Sequence, residues 1–210
     1  MGSAKTALRN AARRRRAKLG KPLHGLRIIE HWPDRFADLA VAGYYPIKSE
    51  FDPRPLMQTL RLTGVRIGLP RMEGKSKPLS FHRWVPGDAL EAGDYGVKEP
   101  LAASPPMDPD IILLPLLAFD ARGGRLGYGG GYYDRTLAAN PAALAMGVAF
   151  DEQEVEALPM QAHDRFLDAV LTPSGLRDFV RPAQAAGVTS CVASTMATDP
   201  GATSEQASAA

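Results

Sequence analysis

Apolar residues in this chain fall into short unbroken runs, separated by turn residues and by segments whose apolar positions recur with helical spacing. Residues 38–47, DLAVAGYYPI, read as a buried strand closed by Pro46. The stretch that follows, residues 52–64, predicts a helix with Asp52 as N-cap and Gly64 as its stop. VRIGLP (65–70) is a second strand, and 79–85 forms a short strand inside the turn-rich segment 72–100. DIILLP (110–115) is continuously apolar, the pattern of a strand covered on both faces. A glycine-rich loop and a helix, YYDRTLAA, come next; LAMGVAF (144–150) and the start of LDAVLTP (167–173) supply two more strands. Strands alternating with helices predict an α/β fold: a single open, mostly parallel sheet flanked by helices.

The two ends of the chain differ from this pattern. Residues 4–19 are rich in Ala, Leu, Lys and Arg and predict a helix stopped by Gly20, with Lys5, Arg9 and Arg13 along one face. A further helix is expected within 22–38. Beyond residue 182 the sequence turns to Ala, Ser, Thr, Gly and Gln, too poor in large apolar residues to offset its ordering entropy. The expectation is one folded domain over 1–182 and a disordered tail over 183–210.

Composition narrows the class. With 210 residues, 45% hydrophobic, the chain suits one globular domain. Its lone cysteine, Cys191, rules out a disulfide framework and a cysteine-based zinc site, and a reducing cytoplasm is the natural compartment. No apolar run approaches the roughly 20 residues of a spanning helix, so no membrane partner is expected. The net charge of +2 conceals an asymmetry: residues 1–21 hold eight of the 25 basic residues and no acid, leaving 17 basic against 23 acidic in residues 22–210. Such an arm suits phosphate, a membrane surface or nucleic acid, and composition does not choose among them. A mitochondrial transit peptide would carry more hydroxyls than Ser3 and Thr6 provide.

Candidate chemistry concentrates in ILLPLLAFDARGGRLGYGGGYYDRTLA (112–138). Here a buried strand runs into six glycines and then into a helix. Glycine allows positive φ and close approach to a ligand, and the free N–H groups of a helix start attract anions. The loop is not a Walker A motif, since no lysine follows Lys98. Nor is it the dinucleotide fingerprint, because Tyr132 or Asp134 stands where a third glycine is required. Taken alone it would pass for a flexible turn, were it not flanked by Arg125, Tyr128, Tyr132, Tyr133 and Asp134.

The block RLGYGGGYYDRTL, following a strand that ends in proline and the tripeptide AFD, resembles the signature of the 5-formyltetrahydrofolate cyclo-ligase (5,10-methenyltetrahydrofolate synthetase) family. Three further blocks agree in type and order: Lys5-x-x-x-Arg9, YYPIKSEFDPRPLM (44–57) and PMQAHDRFLDAVLTP (159–173). The resemblance spans roughly 4–180. It implies a fold similar to the sugar-phosphate isomerase and coenzyme A transferase group, and an ATP- and Mg²⁺-dependent ligase that closes 5-formyltetrahydrofolate to 5,10-methenyltetrahydrofolate with release of ADP and phosphate.

Carried onto this chain, the resemblance gives ATP to Lys5, Arg9, Arg125, Gly127, Tyr128, Gly129, Gly130, Gly131, Tyr132 and Tyr133. It makes Arg125 and Tyr132 catalytic, with Tyr132 between the two substrates. Many relatives carry a lysine where this chain has Gly130, which places more weight on Arg125. Asp134 and Asp164 would hold Mg²⁺; alone they would read as a first-turn acid and a turn residue. His163 beside Asp164 reads as an ordinary polar residue. Glu50 would accept hydrogen bonds from the pterin and Tyr45 would line its pocket, with Trp84 and Phe81 as further wall candidates. Lys75, Lys77 and Arg83 are candidates for the folate's glutamate tail, and the Arg13–Arg16 cluster reads mainly as solvated surface. The expected state is a cytoplasmic monomer acting on small molecules, without nucleic acid. The rival readings are a non-catalytic phosphosugar- or nucleic-acid-binding module and a diverged ATP-dependent relative with another substrate.

Overall fold

The computed structural model describes residues 2–19, 24–161 and 164–179. The expected tail at 183–210, the Gly20 helix stop and His163 lie outside these residues. In chain order the elements are helix α1 (Gly2–Arg16), a short α2 (His24–Arg27), β1 (Val41–Ala42), α3 (Arg54–Leu62), β2 (Ile67–Met72), β3 (Leu79–Arg83), β4 (Leu90–Ala92), β5 (Lys98–Pro100) and β6 (Ile111–Pro115). They continue with β7 (Ala118–Asp120), β8 (Arg125–Leu126), α4 (Tyr132–Ala139), β9 (Leu144–Val148), β10 (Glu154–Val155), β11 (Ala169–Thr172) and β12 (Gly175–Asp178).

Seven strands form one sheet in the order β12-β11-β9-β6-β1-β2-β3. The five inner strands pair in parallel, while β3 and β12 close the edges antiparallel. Successive inner residues face opposite layers. Ile111, Leu113, Met146, Val148 and Leu171 join one apolar cluster, with Leu56, Met57 and Leu60 of α3 above them. Ile112, Leu114, Ala145 and Val170 join the other, which Leu137 of α4 covers. Helices on both faces explain why β6 reads as unbroken apolar sequence.

Three local expectations are corrected. The strand over 38–47 shrinks to two paired residues, because Gly43 takes only one more bond from β2 before the chain leaves the sheet toward Pro46. Asp52 does accept the Arg54 N–H at 3.0 Å, but the N-cap itself is Pro53. The set of strands gains one that was not expected: after β11 the chain turns through residues 173–174 and adds β12.

A hairpin of β7 and β8 precedes the glycine loop and is held by Asp120, which is fully buried. Its carboxylate accepts the backbone N–H groups of Arg122, Gly124 and Leu158 at 2.9–3.0 Å and the Arg122 guanidinium at 2.9 Å. Burial alone would raise its pKa, but these donors outweigh burial and hold it below the ordinary aspartate value. A depressed folded pKa contributes stability above the unfolded value near 3.9, lost as pH falls through the folded one. Asp120→Asn is expected to cost roughly 1.5–3 kcal/mol at pH 7. The gap between the proteins should begin to narrow below about pH 4 and close once pH has fallen through the depressed folded value. Chemical denaturation at both pH values tests this; a gap that stays constant would remove the ionised carboxylate as its cause.

Candidate active site

In this sheet β1 is the point from which the chain proceeds to β2 on one side and to β6, β9 and β11 on the other. An open α/β sheet leaves a crevice at the carboxyl ends of its strands where the order reverses in this way. A cavity of about 610 Å³ occupies it, walled by the segment after β1, the end of β2, the 95–99 segment, Pro115, the glycine loop, Gln161 and Asp164, and by Lys5, Arg9 and Arg13 of α1. The cavity brings together Lys5, Arg9, Tyr45, Glu50, Arg125, Gly127, Tyr128, Gly129, Gly130, Gly131, Tyr132, Tyr133, Asp134 and Asp164. These residues are drawn from four separate parts of the sequence.

One end is cationic and polar. Lys5 Nζ donates to Asp164 Oδ2 at 2.8 Å and to Gln161 Oε1 at 3.1 Å. Arg9 Nε donates to the Gly127 carbonyl at 3.1 Å. Gly129 has φ +99°, a conformation strained for any other residue, and a Cβ there would lie 3.1 Å from the Arg9 guanidinium carbon and press the cation away from the loop. Positive charge at the middle glycines thus comes from Arg9 on α1, and Arg135 adds a hydrogen bond to the Gly130 carbonyl at 3.1 Å. Gly131, at φ +67°, opens α4 with no side-chain cap, leaving its first N–H groups toward the cavity.

Arg125 sits deeper. Its side chain is 6% exposed, one Nη bonds Asp134 Oδ1 at 2.5 Å, and its buried Nε has no partner. Burial pulls its pKa down, while Asp134 and then Asp164 pull it back up. Asp134 and Asp164 therefore share one cationic environment. Two hard carboxylates, with no cluster of three acidic, histidine or cysteine groups among the described residues, fit a divalent ion that arrives with phosphate oxygens.

The other end is lined by aromatic and acidic groups. Glu50 accepts the Ile47 N–H at 2.9 Å; burial pushes its pKa above the ordinary carboxylate value, against the pull of Ile47, Arg16, Tyr128 and Lys48. Tyr45 accepts from Arg54 at 2.9 Å, and Lys98 lies 5.1 Å from its ring centre. Tyr132 reaches across to Tyr95, ring centres 6.5 Å apart. Tyr133 packs against the core with its hydroxyl pKa raised, by burial first and by Glu50 second.

Several candidates lie elsewhere. Phe81 and Trp84 are buried in the two opposite core clusters and do not wall the cavity. The side chains of Lys75, Lys77 and Arg83 do not line it either; Lys75 and Lys77 offer only backbone carbonyls to Arg135. Lys48 and Lys98 occupy the cationic positions near Tyr45 instead. Arg16 is corrected from solvated surface to the core: it is 2% exposed. Glu99 was also missed, a buried acid on β5 whose pKa burial raises.

Residues 3–173 match the model of the 5-formyltetrahydrofolate cyclo-ligase family. The 5-formyltetrahydrofolate cyclo-ligase of Mycolicibacterium smegmatis is 37% identical over 142 residues, 63% of this chain and 73% of the relative. That of Escherichia coli K12 is 37% identical over 141 residues, 64% of this chain and 78% of its own. Among solved structures, Aquifex aeolicus 5,10-methenyltetrahydrofolate synthetase superposes with a TM-score of 0.72 at 30% identity, covering 90% of this chain and 98% of that one. With the family model matching from α1 through β11, this chain belongs to the 5-formyltetrahydrofolate cyclo-ligase family.

Proposed function

We propose that this chain catalyses the ATP-dependent cyclisation of 5-formyltetrahydrofolate to 5,10-methenyltetrahydrofolate, ADP and phosphate. The observation that carries the reading is one continuous cavity joining a cationic glycine loop to an acidic, aromatic pocket. The formyl amide is a poor electrophile and its oxygen a poor leaving group. The formyl oxygen attacks the γ-phosphorus and ADP leaves, giving an imidoyl phosphate. The arylamine nitrogen then attacks the formyl carbon, loses its proton, and phosphate departs with the C–O bond. Both steps need alignment and charge neutralisation more than covalent help from the protein.

Lys5, Arg9, Arg125 and the loop from Gly127 to Tyr133 grip the triphosphate, and Arg125 faces the charge that develops on the transferred group. Tyr132 separates the two substrates. Glu50 accepts from the pterin's amino and ring N–H groups, Tyr45 lines the same end, and Lys48 and Lys98 stand where the glutamate tail would leave. Asp134 and Asp164 would hold Mg²⁺, which when bound neutralises phosphate charge. The protein acts on these small molecules as a cytoplasmic monomer, without nucleic acid or membrane. No helix among the described residues is long and apolar enough to cross a membrane. The basic arm is turned toward its own acidic body through Lys5, Arg9, Arg15 and Arg16.

The test is to mix protein, ATP, Mg²⁺ and 5-formyltetrahydrofolate and follow methenyl absorbance. Product should require all three small molecules and should vanish in excess chelator. Product without ATP would overturn the ligase reading, and undiminished product in chelator would overturn the role of the two aspartates.

A further inference from the structure

The guanidinium of Arg16 is an unusual group to find inside a fold, since an unpaired buried charge is strongly destabilising. Here it is enclosed by polar partners. One Nη donates to the Leu116 carbonyl at 2.8 Å, Nε donates to Ser49 Oγ at 3.3 Å, and the other Nη donates to the Tyr128 hydroxyl oxygen. Tyr128 and Glu50 line the same cavity, where the carboxylate acts on the tyrosine hydroxyl, and Ser49, the other side-chain partner of Arg16, directly precedes Glu50 in the chain. The result is a relay, Arg16 to Tyr128 to Glu50, that begins on α1, passes through the glycine loop and ends at the acidic pocket. Polar groups in series polarise one another, so Arg16 acts on Glu50 through the Tyr128 hydroxyl as well as directly.

We infer that Arg16 is a positioning residue for the folate side of the site: through Tyr128 it fixes the placement and charge of Glu50, and it links the seating of α1 to folate recognition. This rests on the reading of Glu50 as the pterin acceptor. The same helix carries Lys5 and Arg9, so docking of α1 places the phosphate cations and the support of the opposite pocket together. Glu50 is also faced by Tyr44 and Lys48 from the segment after β1 and by Tyr133 from α4. Lys48 is the other cation facing it, and it sits on the cavity wall rather than in the core.

Arg16→Ala is expected to raise the KM for 5-formyltetrahydrofolate about tenfold at pH 7, with kcat within about twofold. The acid limb of kcat/KM should move up by about one pH unit, because Glu50 then protonates more readily. Arg16→Lys, which keeps the charge and loses the fork, should restore the limb more fully than the KM. In a Glu50→Gln background Arg16→Ala should add little, since its target is gone. An equal loss in both backgrounds, or an unmoved limb, would make Arg16 a packing residue and overturn the inference. If Arg16→Ala does not fold, Tyr128→Phe breaks the relay while leaving the guanidinium in place. Its limb should also rise, and an unmoved limb overturns the inference. Failure of the underlying reading looks different: Glu50→Gln alone would then leave the folate KM unchanged.

Discussion

Arg125→Ala is expected to lower kcat by about 10²–10³-fold, the usual cost of removing a preorganised donor from a developing negative charge. The side chain is buried, is fixed by Asp134 and keeps one N–H without a partner, so it is held in place before any ligand arrives. Preorganisation of this sort is what makes a donor effective, because nothing has to reorient when charge develops. ATP affinity should fall as well, while folate binding measured without ATP should stay near normal. Arg125→Lys should lie between the two, because an ammonium lacks the fork that reaches Asp134 and phosphate at once. Calorimetric titration of each ligand separates these effects. A variant that binds ATP as well as the parent but has lost folate would invert the site map.

Glu50→Gln tests the opposite end and should raise the folate KM ten- to a hundredfold, equivalent to roughly 1.5–3 kcal/mol for a charge-assisted bond. One Glu50 oxygen is already taken by the Ile47 N–H. The glutamine carbonyl would take that place, turning its NH₂ toward Tyr128 and the cavity, donor against donor. Nucleotide affinity should change far less, since Glu50 reaches the phosphate loop only at Tyr128 and none of the cations Lys5, Arg9 and Arg125 bonds to it. Loss of ATP binding in this variant would show that the two ends had been assigned the wrong way round.

The parallel sheet was legible because β6, β9 and β11 are buried on both faces and so read as nearly unbroken apolar runs, with Thr172 at the end of β11 the polar exception. The lining of the candidate site was legible where it lies within one stretch, as in the glycine loop and the start of α4. It was opaque where tertiary burial decides the role of a residue. Arg16 stands in a row of four arginines, and charge alone cannot separate it from Arg14 and Arg15. Helical spacing could have done so, since Arg16 follows Arg9 by seven positions and shares its inward face. Phe81 and Trp84 show the converse: aromatic residues near a turn-rich segment look like a ligand wall, but each fills one face of the core. Glu99 was hidden by lying in the short β4–β5 ribbon, whose sequence carries no periodic signal.

The contacts that seat α1 join residues very far apart along the chain. Lys5 meets Asp164 across 159 positions, Arg9 meets Gly127 across 118, and Arg16 meets Leu116 across 100. A 15-residue helix is marginal by itself, and such distant closures come late in folding. During synthesis α1 leaves the ribosome before residues 116–164, against which it is seated, so its docking has to follow theirs. Assembly is thus expected to run against synthesis: α1 is made before the strands it packs on and docks after them, and the candidate cavity closes only when it does.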